Sequence, residues 1–141
     1  MPIETDDALR ELLERVRSIA VVGIKAGTAD DAFRVPLYMQ EHGYRILPVS
    51  PKLDRVLGEA CVPSLGALDE TPDLVNLFRA GAHIPHHVDE ILSLPDRPAG
   101  VWLQLGIRHP AATRRLEEAG IPVVEDRCLM VEHGRLRSPR D

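Results

Sequence analysis

Cysteine, lysine and aromatic residues are all scarce in this chain, and each shortage narrows what it does. Cys61 and Cys128 are the only cysteines, too few for a disulfide framework and without metal-ligand spacing. Aromatic residues make up 4% of the chain, too few for the base-stacking platforms of single-strand binders. Of the 17 basic residues only Lys25 and Lys52 are lysines, and the net charge is −5. That balance excludes the broad basic face that nucleic acid requires. No apolar run approaches the ~20 residues of a membrane span. The opening Met1-Pro2-Ile3-Glu4-Thr5-Asp6-Asp7 is acidic, where a secretion signal is basic and then apolar. The expected setting is therefore a reducing cytoplasm, with neither nucleic acid nor membrane as partner.

With 44% hydrophobic and 28% charged residues over 141 positions, the chain reads as one soluble domain spanning 1–141. Its core is expected over about 8–134, followed by a polar, Arg-rich tail. Residues 5–17 predict a helix, with Asp6 and Asp7 in the first turn and Leu9, Leu12, Leu13 and Val16 at helical spacing. Further helices are predicted over 31–42, with Gly43 as terminator, over 85–94, and over 110–119, with Pro110 first and Gly120 just past the end. Between them lie apolar runs at 19–24, 44–49, 73–78, 100–105 and 121–125, read as strands covered on both faces. Residues 56–64 read as irregular with a short extended piece, and Ser64 as the cap of a short helical turn through Leu68. Strands that alternate with helices, without hairpin signals, imply right-handed βαβ units. The predicted fold is α/β: a Rossmann-like three-layer domain, a five-stranded parallel sheet with helices on both faces.

Ser18-Ile19-Ala20-Val21-Val22-Gly23-Ile24-Lys25-Ala26-Gly27 is the most informative stretch. A strand runs into a glycine-containing loop and then a helix, the order by which α/β domains offer backbone N–H groups to a phosphate. Gly23 and Gly27 alone are not the G-x-G-x-x-G fingerprint. In such sheets ligands bind at the carboxyl ends of the strands. Those ends hold Gly23, Ile24, Lys25, Ala26 and Gly27, with Arg34 one turn into the next helix. They also hold Val49, Ser50, Pro51 and Lys52, then Phe78 and Arg79, then Gln104, Gly106, Ile107 and Arg108. Asp30 and Asp31 read as helix-starting residues rather than ligands. The second strand ends without the acid that holds a free ribose. A hydroxyl and an ammonium suit a phosphorylated ribose instead, which leaves two ligands: NADP with its 2′-phosphate and coenzyme A with its 3′-phosphate.

Several of these segments together carry a resemblance. Ile19-Ala20-Val21-Val22-Gly23, the run from His42 to Pro51, the run from Asp73 to Arg79, the run from Val101 to Ile107, and Asp126-Arg127-Cys128-Leu129-Met130 look like a family of small stand-alone CoA-binding proteins. That family is related to the N-terminal CoA-binding domain of succinyl-CoA synthetase α subunits and ADP-forming acyl-CoA synthetases. The resemblance covers about residues 8–134. It implies coenzyme A, or an acyl-CoA, as a small-molecule ligand, with a protein partner also open. It implies that the Gly23 loop holds the pyrophosphate and that the Ser50-Pro51-Lys52 turn faces the adenosine 3′-phosphate. Phe78-Arg79 and Gln104 to Ile107 would then line the pantetheine path. The chain departs from the family at Lys25 and near Ala32, where members usually carry serine, and at Ser50, where asparagine is common. Non-catalytic binding is the expected function, as carrier, sensor or docking module; the alternative is an NADP-binding reductase or regulatory dinucleotide domain.

No catalytic residue is predicted. Cys128, with Arg127 beside it and His133 further on, reads as a core cysteine after the last strand, and Cys61 likewise. His83, His86 and His87 form the only histidine cluster and read as a solvated loop-to-helix junction with no metal. Trp102 is expected in the core, and Tyr38 and Tyr44 between helix and sheet.

Overall fold

A computed structural model describes residues 1–137. Thr5 accepts a hydrogen bond from the Ala8 amide (3.2 Å) and so caps α1 (Asp6–Arg15), where Asp6 and Asp7 oppose the positive helix end. Leu9, Leu12 and Leu13 bury one face of this helix, each contributing about 1.5–3 kcal/mol. β1 (Ser18–Val22) is buried along its whole length, as a strand covered on both sides must be. Asp30 caps α2 (Asp31–Glu41) by accepting from the Ala32 amide at 3.0 Å. Gly43, at φ +94°, then ends the helix in a conformation that a side chain would disfavour. β2 (Arg45–Val49), β5 (Leu74–Leu77), β6 (Gly100–Leu103) and β7 (Val123–Val124) complete the main sheet, with β3 (Arg55–Val56) and β4 (Glu59–Ala60) outside it. The remaining helices are α3 (Ile84–Leu92), α4 (Pro110–Glu118) and α5 (Leu129–Leu136).

The sheet runs β2-β1-β5-β6-β7, every pair parallel. Helices α1, α2 and α5 cover one face through a cluster that includes Leu9, Ile19, Met39, Trp102 and Leu129. Helices α3 and α4 cover the other through Val22, Val75, Ile84, Leu103 and Leu116. The Rossmann-like three-layer reading is borne out. The chain steps outward from β1 to β2 and then returns to β5 on the far side of β1. The order therefore reverses between β1 and β5, where sheets of this kind bind ligands. No helix among the described residues is long and apolar enough to cross a membrane.

Three sequence expectations need correction. Residues 56–64 are not simply irregular: β3 and β4 pair antiparallel around Leu57 and Gly58, both at positive φ (56° and 78°), as in a type I′ turn. Leucine is a rare host for that conformation and hides the turn signal. Its carbonyl accepts from Gln40 Nε2 at 2.9 Å and its side chain packs on the core, which holds it there. The stretch after 125, to which the sequence reading gives no element, forms α5. Leu129 and Leu136 are buried, and Glu132 is bridged by Arg127 (2.6 Å) and Arg135 (3.0 Å). Burial opposes the Glu132 charge, but the two arginines outweigh it and hold the carboxyl below its usual range. The rest of the expected tail, 138–141, lies outside the described residues. Finally, β7 is two residues rather than five, because only Val123 and Val124 pair with β6.

Candidate functional site

The parallel ladder continues past the strands and ties the carboxyl-edge loops side by side. Gly23 N donates to Val49 O (3.0 Å), Phe78 N to Val22 O (2.9 Å), Gln104 N to Leu77 O (3.3 Å), and Arg127 N to Leu103 O (3.5 Å). All four loops expected to meet thus do so, joined by the loop after β7.

At the switch point the approach is close. Gly23 lies at φ +86°, and a Cβ there would stand 2.5 Å from the Phe78 carbonyl oxygen and 3.1 Å from Arg79 Cδ. Arg79 is therefore laid across the glycine. Its Nε donates to His87 Nε2 at 3.3 Å, and no carboxylate among the described residues lies within ion-pair distance of it. The neighbouring cations are different: Lys25 pairs with Asp30 (3.7 Å), Arg34 with Asp31 (3.2 Å), and Arg108 with Asp126 (3.0 Å). Ala26, Gly27, Thr28 and Ala29 are exposed, and among the described residues no backbone carbonyl accepts from their amides. A loop whose amides have no backbone acceptor, with a guanidinium that lacks a carboxylate partner lying against its first glycine, is an anion-binding arrangement. The side chains of Ile24 and Val49 are buried, so these two predicted residues offer only backbone.

At the end of β2, Ser50 Oγ accepts from Lys52 N at 3.1 Å, which folds Ser50-Pro51-Lys52 into a tight turn. The hydroxyl proton remains to donate, and the Lys52 side chain is exposed. The β3–β4 hairpin is anchored alongside: Ser50 N donates to Val62 O (2.8 Å) and Val62 N to Pro48 O (3.1 Å).

Gln104 and Gly106 are set from within. Asn76 is fully buried, and its Nδ2 donates to Trp102 O and Gln104 Oε1, both at 3.3 Å. Asn76 Oδ1 has no partner among the described residues. Gln104 Oε1 also accepts from Leu129 N (3.4 Å), so this side chain steadies the start of α5 next to half-buried Cys128. Gly106 (φ +86°) donates its N–H to Asp126 Oδ1 at 2.6 Å, and Ile107 O accepts from Asp126 N at 3.1 Å. The Gly106 N–H, followed by the Arg108 guanidinium, pulls the Asp126 carboxyl below its ordinary value of 3.8. A depressed folded pKa stabilises the clamp above the unfolded value and releases it as pH falls through the folded one. The Gly106 amide resonance should therefore titrate with a midpoint below 3.8. A midpoint at or above that value would mean that the clamp does not hold in solution. In Asp126→Asn, Gly106 amide exchange should quicken several-fold.

Sequence reading missed the Asp126 clamp, the Asn76 network and the Glu90 partner of His87. Asn76 alone left a signal, a polar residue inside an apolar strand. His86, His87 and Glu90 bring ligand atoms within 4.8 Å of one another, but Arg79 sets a cation against His87. His83 stands outside that group. Burial pushes the Cys61 thiol up. A cavity of about 610 Å³ opens at the opposite edge of the sheet, lined by Arg10, Arg17, Tyr44 and His133 among others. None of the carboxyl-edge loops reaches it.

Known proteins sharpen this picture. The model of the CoA binding domain matches residues 17–134. YneT of Bacillus subtilis (strain 168) is 37% identical over 125 residues, covering 89% of this chain and 91% of that protein. The structure of cell-free ID.343 from Thermus thermophilus is 46% identical with a TM-score of 0.90, covering 95% of this chain and all of that one. A dinucleotide-forming acetyl-coenzyme A synthetase of Ca. Korarchaeum cryptofilum shares the fold (TM-score 0.64, 17% identity), over 81% of this chain and 27% of its own. A match that begins just before β1 and ends within α5 takes in the whole sheet, and this chain belongs to the CoA binding domain family.

Proposed function

We propose that the chain binds coenzyme A, or an acyl-CoA, at the crevice between β1 and β5, and holds it without transforming it. Arg79 carries this reading: it lies across Gly23, the start of the loop, with no carboxylate partner among the described residues. In the proposed arrangement the pyrophosphate rests on the Gly23 to Gly27 loop and Arg79. The 3′-phosphate faces the Ser50-Pro51-Lys52 turn, and the pantetheine arm runs past Phe78 toward Gln104, Gly106 and Ile107. Family membership supports CoA as the ligand. Lys25 and Arg34 already answer to Asp30 and Asp31, so their share in phosphate binding is the smaller one. The role is that of a carrier, sensor or docking module, the last with a separate protein partner.

Calorimetry with CoA, dephospho-CoA, NADP and NAD tests the proposal. CoA should bind, and dephospho-CoA about tenfold more weakly, the loss of one charge-assisted contact to Lys52. Lys52→Glu should weaken CoA and erase the difference between the two. NADP binding without CoA binding would replace this reading with the dinucleotide one. Cys128→Ser should keep full CoA affinity; a turnover of CoA that this variant abolishes would point to thiol chemistry.

A further inference from the structure

Behind Arg79 stands a second layer of side chains that the family reading does not assign. His87, in the first turn of α3, is 8% exposed. Its Nε2 faces Arg79 Nε at 3.3 Å and its Nδ1 faces Glu90 Oε1 at 2.7 Å. An arginine N–H can only donate, so Nε2 must be the bare ring nitrogen. The ring proton then sits on Nδ1 and is given to Glu90, which fixes the neutral tautomer. Burial, the largest influence, pushes the His87 pKa below 6.5, and the adjacent Arg79 and His86 act in the same direction against Glu90. A neutral imidazole at pH 7 can therefore accept from Arg79, where an imidazolium would repel it.

The contact also fixes geometry. A guanidinium is a planar fork of five N–H donors. Nε is spent on His87 and Cδ lies against Gly23, which restricts the plane, and among the described residues no group accepts from the two terminal nitrogens. Orientation matters because a free arginine must give up rotamer freedom when it grips an anion.

We propose, resting on the CoA reading of the crevice, that His87 is a positioning residue which, backed by Glu90, aims the Arg79 fork at the ligand's pyrophosphate. This is a polar relay of Glu90, His87 and Arg79 that pre-orders the grip before ligand arrives. It also accounts for an almost fully buried histidine on an otherwise apolar helix face formed by Ile84, Val88 and Ile91.

The test uses the full chain, with CoA affinity by calorimetry and the Arg79 Nε–H resonance by nitrogen-15 NMR. His87→Leu should weaken CoA about tenfold and broaden the Nε–H signal. His87→Gln, whose amide oxygen reaches about as far as Nε2, should stay within about threefold and keep the signal. His87→Asn is too short for Arg79 and should behave like the leucine variant; it carries the test should that variant not fold. In the Arg79→Ala background, His87→Leu should cause no further loss, which a merely structural role would not reproduce. If Arg79→Ala weakens CoA but His87→Leu and His87→Asn do not, the positioning role is wrong. If Arg79→Ala leaves CoA affinity intact, the site reading fails instead. The Nε–H signal then decides the relay alone: loss in His87→Leu supports it, and a signal unchanged across all variants overturns it.

Discussion

Gly23→Ala should be the most damaging single-methyl change in the protein, lowering stability by about 2–4 kcal/mol and weakening CoA at least tenfold. Two independent effects combine. The residue sits at φ +86°, where a Cβ costs about 1–2 kcal/mol. The added methyl would also lie 2.5 Å from the Phe78 carbonyl oxygen, and that oxygen belongs to a backbone held by Phe78 N donating to Val22 O. The strain can be relieved only by parting β1 from β5, which also moves Arg79. Gly58→Ala is the matched control, since Gly58 has a similar φ of +78° and open space around its would-be Cβ. It should cost about 1 kcal/mol and leave ligand affinity unchanged. Thermal melts and calorimetry on both variants make the comparison. Equal behaviour of the two would mean that the close approach at the switch point is not present in solution.

Trp102→Ala should be the costliest core truncation, at about 3–5 kcal/mol. The indole, on β6, is fully buried in the cluster that joins α1, α2 and α5. Its Nε1–H donates to Arg127 O at 2.8 Å, so truncation also frees the loop that carries Asp126 and Cys128. A domain of this size has only about 5–15 kcal/mol in total, so the variant should unfold at a markedly lower urea concentration. Trp102→Phe keeps most of the volume and loses the hydrogen bond, and should cost about 1–2 kcal/mol. If alanine and phenylalanine prove equally mild, the indole is not the core element its burial implies.

Much of the fold was legible because local signals agreed with tertiary need. Asp30 at the start of α2, Pro110 at the start of α4 and glycines after both helices mark boundaries that hold to within a residue. Apolar runs without alternation identified strands buried on both faces. The failures fall where a contact distant in sequence overrides local preference. Leu57 occupies a left-handed turn position because Gln40 and the core hold it. The last helix, which runs on through Gly134, is held to α1 through Asp6 and Arg135 (3.0 Å), 129 residues apart in sequence. For the candidate site the carboxyl-edge loops were legible in kind, since parallel sheets place their ligand loops at one edge. Which cations remain unpaired was not. Among the described residues Lys25, Arg34 and Arg108 have carboxylate partners, while Arg79 and Lys52 have none.

By itself the sequence determined the parallel α/β architecture and the edge at which its loops gather, because hydrophobic period, caps and glycines act over a few residues; the family rests on the likeness of whole segments. Tertiary structure alone decided that Gly23 must have no side chain, that Asp126 clamps Gly106, and that His87 and Glu90 stand behind Arg79. The first two are meetings of groups from different βα units, and the third depends on how α3 turns back over the loop that follows β5, so the distances are set by packing.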